Sequence, residues 1–278
     1  MGRDRSAAGN SDASAEPREL SRNDVRLAYR TYGDPDARPL VLLHGLGADH
    51  SMWGPQIDRY PDEGYHLIVP DVRGFGDSDP VPSFGIEDCA DDLAAILDDC
   101  GVDAAAVAGV SMGSLIAQVF AAKYPDRVTR LALSDTFSSV HGLRARVLSR
   151  LATAMLSVVP TGLQIRLVES QYDAPGDEPI REYFRTQLLE TDRTQLVRAR
   201  RAVNAFDGRD DLRRIDAPTL VVVGDDNPGW FVELARETAD GIPDARFERL
   251  PGGSDPSNLT ATDAFDDAVL GFLGDAGP

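Results

Sequence analysis

Gly109-Val110-Ser111-Met112-Gly113 is a G-x-S-x-G pattern standing between an apolar run and a run of helical character. A serine hydroxyl is a poor nucleophile at neutral pH unless a neighbouring base takes its proton. Where this pattern marks a strained strand-to-helix turn, an acid and then a histidine follow the serine along the chain. Here the histidines are His44, His50, His66 and His141, and none follows His141. The carboxylates that do follow include Asp225-Asp226, before Asn227-Pro228-Gly229, and Asp255 in Pro251-Gly252-Gly253-Ser254-Asp255. A carboxylate starts from a pKa of about 4, which makes it a weak base toward serine. Burial would raise that pKa and suit the group to an easier proton.

Such residues need a scaffold. Val25–Tyr32 reads as a strand, and residues 40–43 form the short apolar run of a buried parallel strand. Further strands are expected at 66–70, 104–110, 128–133, 219–223 and 246–250. Helices are expected at 52–60, 86–100, 114–123, 231–239 and 264–273. From about Ser138 to Leu212 no strand is expected, only Arg- and Leu-rich helical stretches broken at residues 160–162 and 174–176. Alternating strands and helices predict an α/β fold with a mostly parallel sheet flanked by helices. The chain then divides into a tail at 1–16, a core of 17–137 and 213–278, and an inserted helical cap at 138–212. The cap would lie over the carboxyl ends of the strands, where such sheets bind ligands.

From residue 17 onward the chain resembles the α/β-hydrolase superfamily. The resemblance is carried by His44-Gly45-Leu46-Gly47, by Asp71-Val72-Arg73-Gly74-Phe75-Gly76-Asp77-Ser78, by the Ser111 motif and by Asp225-Asp226-Asn227. It implies Ser111 as nucleophile, with Gly109 and Gly113 beside it because side chains there would clash. It also implies the backbone N–H groups of Leu46 and Met112 as oxyanion donors. His44 then shapes the oxyanion loop, and Arg73 is a structural turn residue. The acid position falls on Asn227 in one register and on Asp226 in the next, with Asp135 a second possible location. The base position falls on Asp255, or on Ser254 after a one-residue slip. His50 or His141 could supply an imidazole from another direction. Trp230, Phe137, His141, Tyr183 and Phe184 are candidates to line the substrate site, with Tyr172, Phe206 and Trp53 as further aromatics near it.

Composition narrows the partners. The 278 residues carry a formal net charge of −18, which argues against nucleic acid and anionic membranes. No apolar run approaches the ~20 residues that span a bilayer. Residues 1–16 lack the apolar stretch of a signal peptide, so a cytoplasmic protein is expected. Of the 28 basic residues only Lys123 is a lysine, a skew expected of a high-GC genome such as that of an actinobacterium or a haloarchaeon. Cys89 and Cys100 would lie about 16 Å apart on one helix, too far to pair. Neither a metal-ligand cluster nor a dinucleotide fingerprint is present, so no cofactor is expected. The leading expectation is a cofactor-independent, non-hydrolytic enzyme of bacterial secondary metabolism. It would catalyse a cyclisation, a lyase step or carbon–carbon bond formation on a large apolar, polyketide-type substrate. The alternatives are an ester, lactone or thioester hydrolase with a non-standard base, and a non-catalytic ligand-binding protein.

Overall fold

The computed structural model describes residues 15, 17–140, 150–151, 153–154, 156–172 and 177–275. Apart from Ala15, the tail expected at 1–16 lies outside the described residues, as do His141 and the break at 174–176. Eight strands form one sheet: β1 (Arg18–Arg22), β2 (Val25–Tyr32), β3 (Arg38–Leu43), β4 (Tyr65–Pro70), β5 (Ala105–Val110), β6 (Val128–Ser134), β7 (Thr219–Gly224) and β8 (Ala245–Leu250). Their order is β1-β2-β4-β3-β5-β6-β7-β8. The β1–β2 and β2–β4 pairings are antiparallel and all the others parallel. This is the α/β architecture expected from the alternating pattern. The strand that the pattern misses is β1, whose sequence Arg-Glu-Leu-Ser-Arg carries one apolar side chain and lies on the sheet edge.

Helices cover both faces. The chain forms α1 (Gly54–Arg59), α2 (Ile86–Asp99) and α3 (Met112–Lys123), then α4 (Thr161–Glu169), α5 (Glu178–Glu190) and α6 (Arg193–Ala205) between β6 and β7. It ends with α7 (Gly229–Gly241), α8 (Ser257–Thr260) and α9 (Thr262–Gly274). On one face Leu93, Ile96, Ile116, Phe120 and Ala235 from α2, α3 and α7 pack on Val41, Val107 and Val221. On the other, Ile57 of α1 and Phe265, Val269 and Phe272 of α9 pack with Trp53 on Leu40, Ala106 and Leu220. The apolar residues of α2 recur at helical spacing and bury one stripe. The helix expected at 52–60 splits into a 3₁₀ turn, His50–Trp53, and α1, with Pro55 in its first turn. Cys89 and Cys100 are free thiols.

Among the described residues between β6 and β7 the ladder is limited to one isolated bridge, Ser139 to Asp207. It brings the two ends of the inserted helical segment side by side. Further ties bind that segment to the core: Gln187 donates to Asp49, and Gln195 exchanges hydrogen bonds with the backbone of Val81. Among the described residues no helix is long and apolar enough to cross a membrane.

The turn from β5 into α3 sets the site. Ser111 sits at φ 54° and ψ −117°, a strained conformation for a residue with a side chain. The two glycines of the motif allow it. A Cβ on Gly109 would stand 2.5 Å from the Gly113 backbone, and one on Gly113 would stand 2.1 Å from the Leu43 carbonyl oxygen. Gly113→Ala must therefore push α3 off β3. It is expected to destabilise the protein by about 3 kcal/mol, read as a lower midpoint in urea unfolding, whereas Gly162→Ala, with open space around its Cβ, should not.

Candidate active site

Ser111 is pinned by its N–H, which donates to the Ser134 carbonyl at 2.9 Å. Its hydroxyl donates to Asp255 Oδ2 at 3.0 Å. Asp255 lies in the loop between β8 and α8, which places a carboxylate where the resemblance implies a histidine. Ser254 does not take that place. Its N–H donates to Thr260 Oγ1 at 3.0 Å, and Thr260 Oγ1 donates back to its carbonyl at 2.6 Å, so Ser254 is tied to the following turn.

The loop that carries Asp255 is held from below by a second carboxylate. Asp135 follows β6 directly, is fully buried, and adopts a left-handed φ of 49°. It accepts from the Ser257 N–H at 2.7 Å, Ser257 Oγ at 2.9 Å, the Gly224 N–H at 3.2 Å and Asn227 Nδ2 at 3.0 Å. Ser134 Oγ adds a bond at 3.2 Å. Asn227 bridges the two acids, since its Oδ1 accepts from the Asp255 N–H at 3.2 Å. Of the two candidates at this turn, Asn227 is the one whose side chain contacts both acids. Asp226, the other candidate, is exposed, and its N–H donates to the Gly253 carbonyl at 2.9 Å. The turn closed by the Asn227 N–H on the Gly224 carbonyl directs the Asn227 side chain inward, and Asp226 does not line the cavity.

Burial pushes the Asp255 carboxyl up to about 7, and the nearby charge of Asp135 adds to the rise. Ser111 and Arg200 pull the other way. Asp135 is also raised by burial, against the hydrogen bonds of Ser257, Gly224 and Ser134. Two neighbouring carboxylates resist joint ionisation and titrate as a pair. Asp135 has five donors around it and Asp255 has the Ser111 hydroxyl, so the first negative charge settles on Asp135 and the proton stays on Asp255.

The described histidines have other work. His44 is fully buried and accepts from the Val72 N–H on Nε2 at 2.9 Å. Its Nδ1 lies 2.8 Å from the Gly45 carbonyl and carries the ring proton. Burial lowers its pKa, so it is a neutral strut for the Gly45-Leu46-Gly47 loop. His50 Nδ1 sits 2.9 Å from Asp71. His66 lies near the amino end of β4, opposite the end of the sheet that carries Ser111. Arg73 makes a buried two-point contact with Asp92 at 2.6 Å for each bond, in keeping with its structural reading.

Ser111 and Asp255 open into a cavity of about 730 Å³. Leu46 and Met112 line it beside Ser111. Met112 is the first residue of α3, so its N–H is one of the unsatisfied donors of a helix start. Phe137, Val203, Trp230, Phe231 and Leu234 supply apolar wall, and Asn227 and Arg200 add polar atoms. Phe137 and Trp230 thus both face the cavity that holds Ser111. Tyr183 and Phe184 do not line the cavity: Tyr183 packs against the core cluster containing Trp53, and Phe184 stacks on Tyr172 at 5.3 Å. Their rings are used up in packing α5, while the Tyr172 hydroxyl donates to the Asp255 carbonyl at 3.1 Å. Arg200 escapes a reading by motif, because it is one of several arginines on α6. The legible signal is its phase, on the helix face of Leu196 and Val203 at four- and three-residue spacing. Among the described residues no group of three or more His, Cys, Asp or Glu is placed to hold a metal.

Residues 38–154 match the family described as alpha/beta hydrolase fold. The chain is 29% identical over 255 residues to 3-oxoadipate enol-lactonase 2 of Acinetobacter baylyi, an alignment covering 90% of this chain and 94% of that one. It is 30% identical over 244 residues to polyketide synthase ThaQ of Burkholderia thailandensis, where 84% of this chain matches 12% of that much longer protein. Among solved structures, a hydrolase from Pseudomonas aeruginosa superposes with a TM-score of 0.84 at 28% identity, covering 97% of this chain and 100% of that chain. The sheet order, the Ser111 turn and these relatives agree: the chain belongs to the α/β-hydrolase fold superfamily.

Proposed function

We propose that this protein is a cofactor-independent enzyme in which Asp255 replaces the histidine base and drives non-hydrolytic acid–base chemistry. Its substrate is a large, mostly apolar small molecule of polyketide type, handled in the cytoplasm. The observation that carries this reading is the Ser111 Oγ to Asp255 Oδ2 hydrogen bond of 3.0 Å. A base near pH 7 is matched to a carbon acid beside a carbonyl and poorly matched to a serine hydroxyl. Asp255 takes the proton from that carbon and becomes a carboxylic acid. The electron pair moves onto the carbonyl oxygen, where the N–H groups of Leu46 and Met112 stabilise the resulting enolate. The enolate carbon then attacks an electrophilic carbon of the same substrate, or expels a leaving group, and Asp255 returns its proton to the oxygen that became negative. Ser111 donates a hydrogen bond to Asp255 or to the substrate oxygen. The cavity volume and apolar wall suit such a ligand, and the ThaQ match lends support to a polyketide-type substrate.

A second reading, ester or lactone hydrolysis through Ser111, is favoured by the enol-lactonase relative. The two part at Ser111→Ala. It is expected to lower turnover only about tenfold if Ser111 is a donor, and to abolish it if Ser111 is the nucleophile. Asp255→Asn is expected to lower turnover about a hundredfold to ten-thousandfold. Steady-state rates with a cyclisable β-dicarbonyl substrate and with an activated ester distinguish these outcomes.

The acid also leaves two pH signatures. The charged groups around Asp255 are Asp135 beneath it and Arg200 across the cavity, with the Tyr172 hydroxyl on its carbonyl. A base works as its carboxylate, so kcat/KM should rise with pH through about 7 and level off above it. A falling limb in that range would reject Asp255 as the base. Stability runs the other way. The folded pKa of about 7 lies above the ordinary 3.8, so the native state holds a proton that the unfolded chain has lost. Stability is lost as pH rises from about 4 to about 7. Asp255→Asn removes that loss, so its melting temperature should exceed the wild type's at pH 8 and converge with it near pH 4.

A further inference from the structure

Arg200 projects from α6 into the cavity that holds Asp255, and its Nε–H is buried with no acceptor among the described residues. Asp255 acts on it only through its field, without a hydrogen bond between the two. Burial lowers its pKa, and only the field of Asp255 opposes this. Arg200 is half-buried, and a buried N–H without an acceptor is costly, so such an orphaned donor in a native fold calls for a ligand or a function. The remaining charged groups on the described wall are Glu233 and Glu237, both exposed on α7. Arg200 is thus the one cation among the described lining residues.

We infer that Arg200 is the binding site for a carboxylate of the substrate, so that the ligand is an apolar monocarboxylic acid whose anionic end docks beside Asp255. The planar guanidinium matches a carboxylate with two parallel N–H bonds. One cation facing Glu233 and Glu237 suits a single negative charge better than the two of a phosphate monoester. The apolar body then runs along Phe137, Val203, Phe231 and Leu234 toward Trp230 at the mouth. The inference deepens the acid–base reading and rests on the same cavity being the substrate site.

Binding separates this proposal from the chemistry. Trp230 lines the cavity and is 62% exposed, while the other tryptophan, Trp53, is fully buried, so quenching of the intrinsic fluorescence reports occupancy. The probes are phenylbutyrate and the matching neutral phenylbutanol, titrated into the full chain. The wild type is expected to bind the carboxylate about tenfold or more tightly than the alcohol. Arg200→Gln should weaken the carboxylate to the level of the alcohol and leave the alcohol unchanged, and Arg200→Lys should fall between. Equal affinity for the two probes in the wild type overturns the proposal, as does a preference that survives Arg200→Gln or an absence of binding by either. Asp255→Asn should keep the carboxylate preference while losing turnover. If it keeps both, the acid–base reading fails and the carboxylate site stands.

Discussion

The site is organised by a buried negative charge that never touches the cavity. Asp135 gathers Gly224 at the end of β7, Asn227 in the turn after it, and Ser257 at the start of α8 onto one carboxylate. The turn of Gly224 and Asn227 is remote in sequence from Ser257, and the two would otherwise be independent loops. Five donors around one carboxylate offset the cost of burying it. With Ser257 and Asn227 fixed, Asp255 has little freedom and meets Ser111. The same charge raises the pKa of its neighbour, so one group supplies both the geometry and the electrostatics of the site.

Most of the scaffold is legible in the sequence because a parallel sheet buried on both faces writes itself as short apolar runs. Val41, Val107 and Val221 are read from composition alone, and the helix phases of α2 and α9 follow from their apolar spacing. The edge strand β1 is not legible, since its five residues, none of them buried, include a single apolar side chain, Leu20. In the site, Ser111, Asn227 and Asp255 can be found from motif spacing. What spacing cannot deliver is tertiary: which of two adjacent residues faces inward at the Asp226–Asn227 turn, and which arginine of α6 faces the cavity. The fate of Tyr183 and Phe184 has the same cause. An aromatic ring in an inserted helix serves packing or ligand equally well, and only the stack with Tyr172 decides.

The glycines beside Ser111 and the histidine beneath Leu46 show how closely the retained parts constrain one another. Gly113 lets α3 approach β3 until a methyl group would overlap the Leu43 carbonyl. His44, at the end of that same strand, braces the loop that carries Leu46. The helix start and the Leu46 loop are therefore positioned against each other by contact, independent of which residue stands at the base position. None of the supports of this half of the site runs through residue 255.

Among the described residues, the bond from the Tyr172 hydroxyl to the Asp255 carbonyl joins the inserted helical segment to the loop that carries Asp255. A helical roof that swings outward to admit a ligand must either break that bond or carry the loop with it. The stacked Tyr172–Phe184 pair thus ties the position of α5 to that of the Asp255 loop.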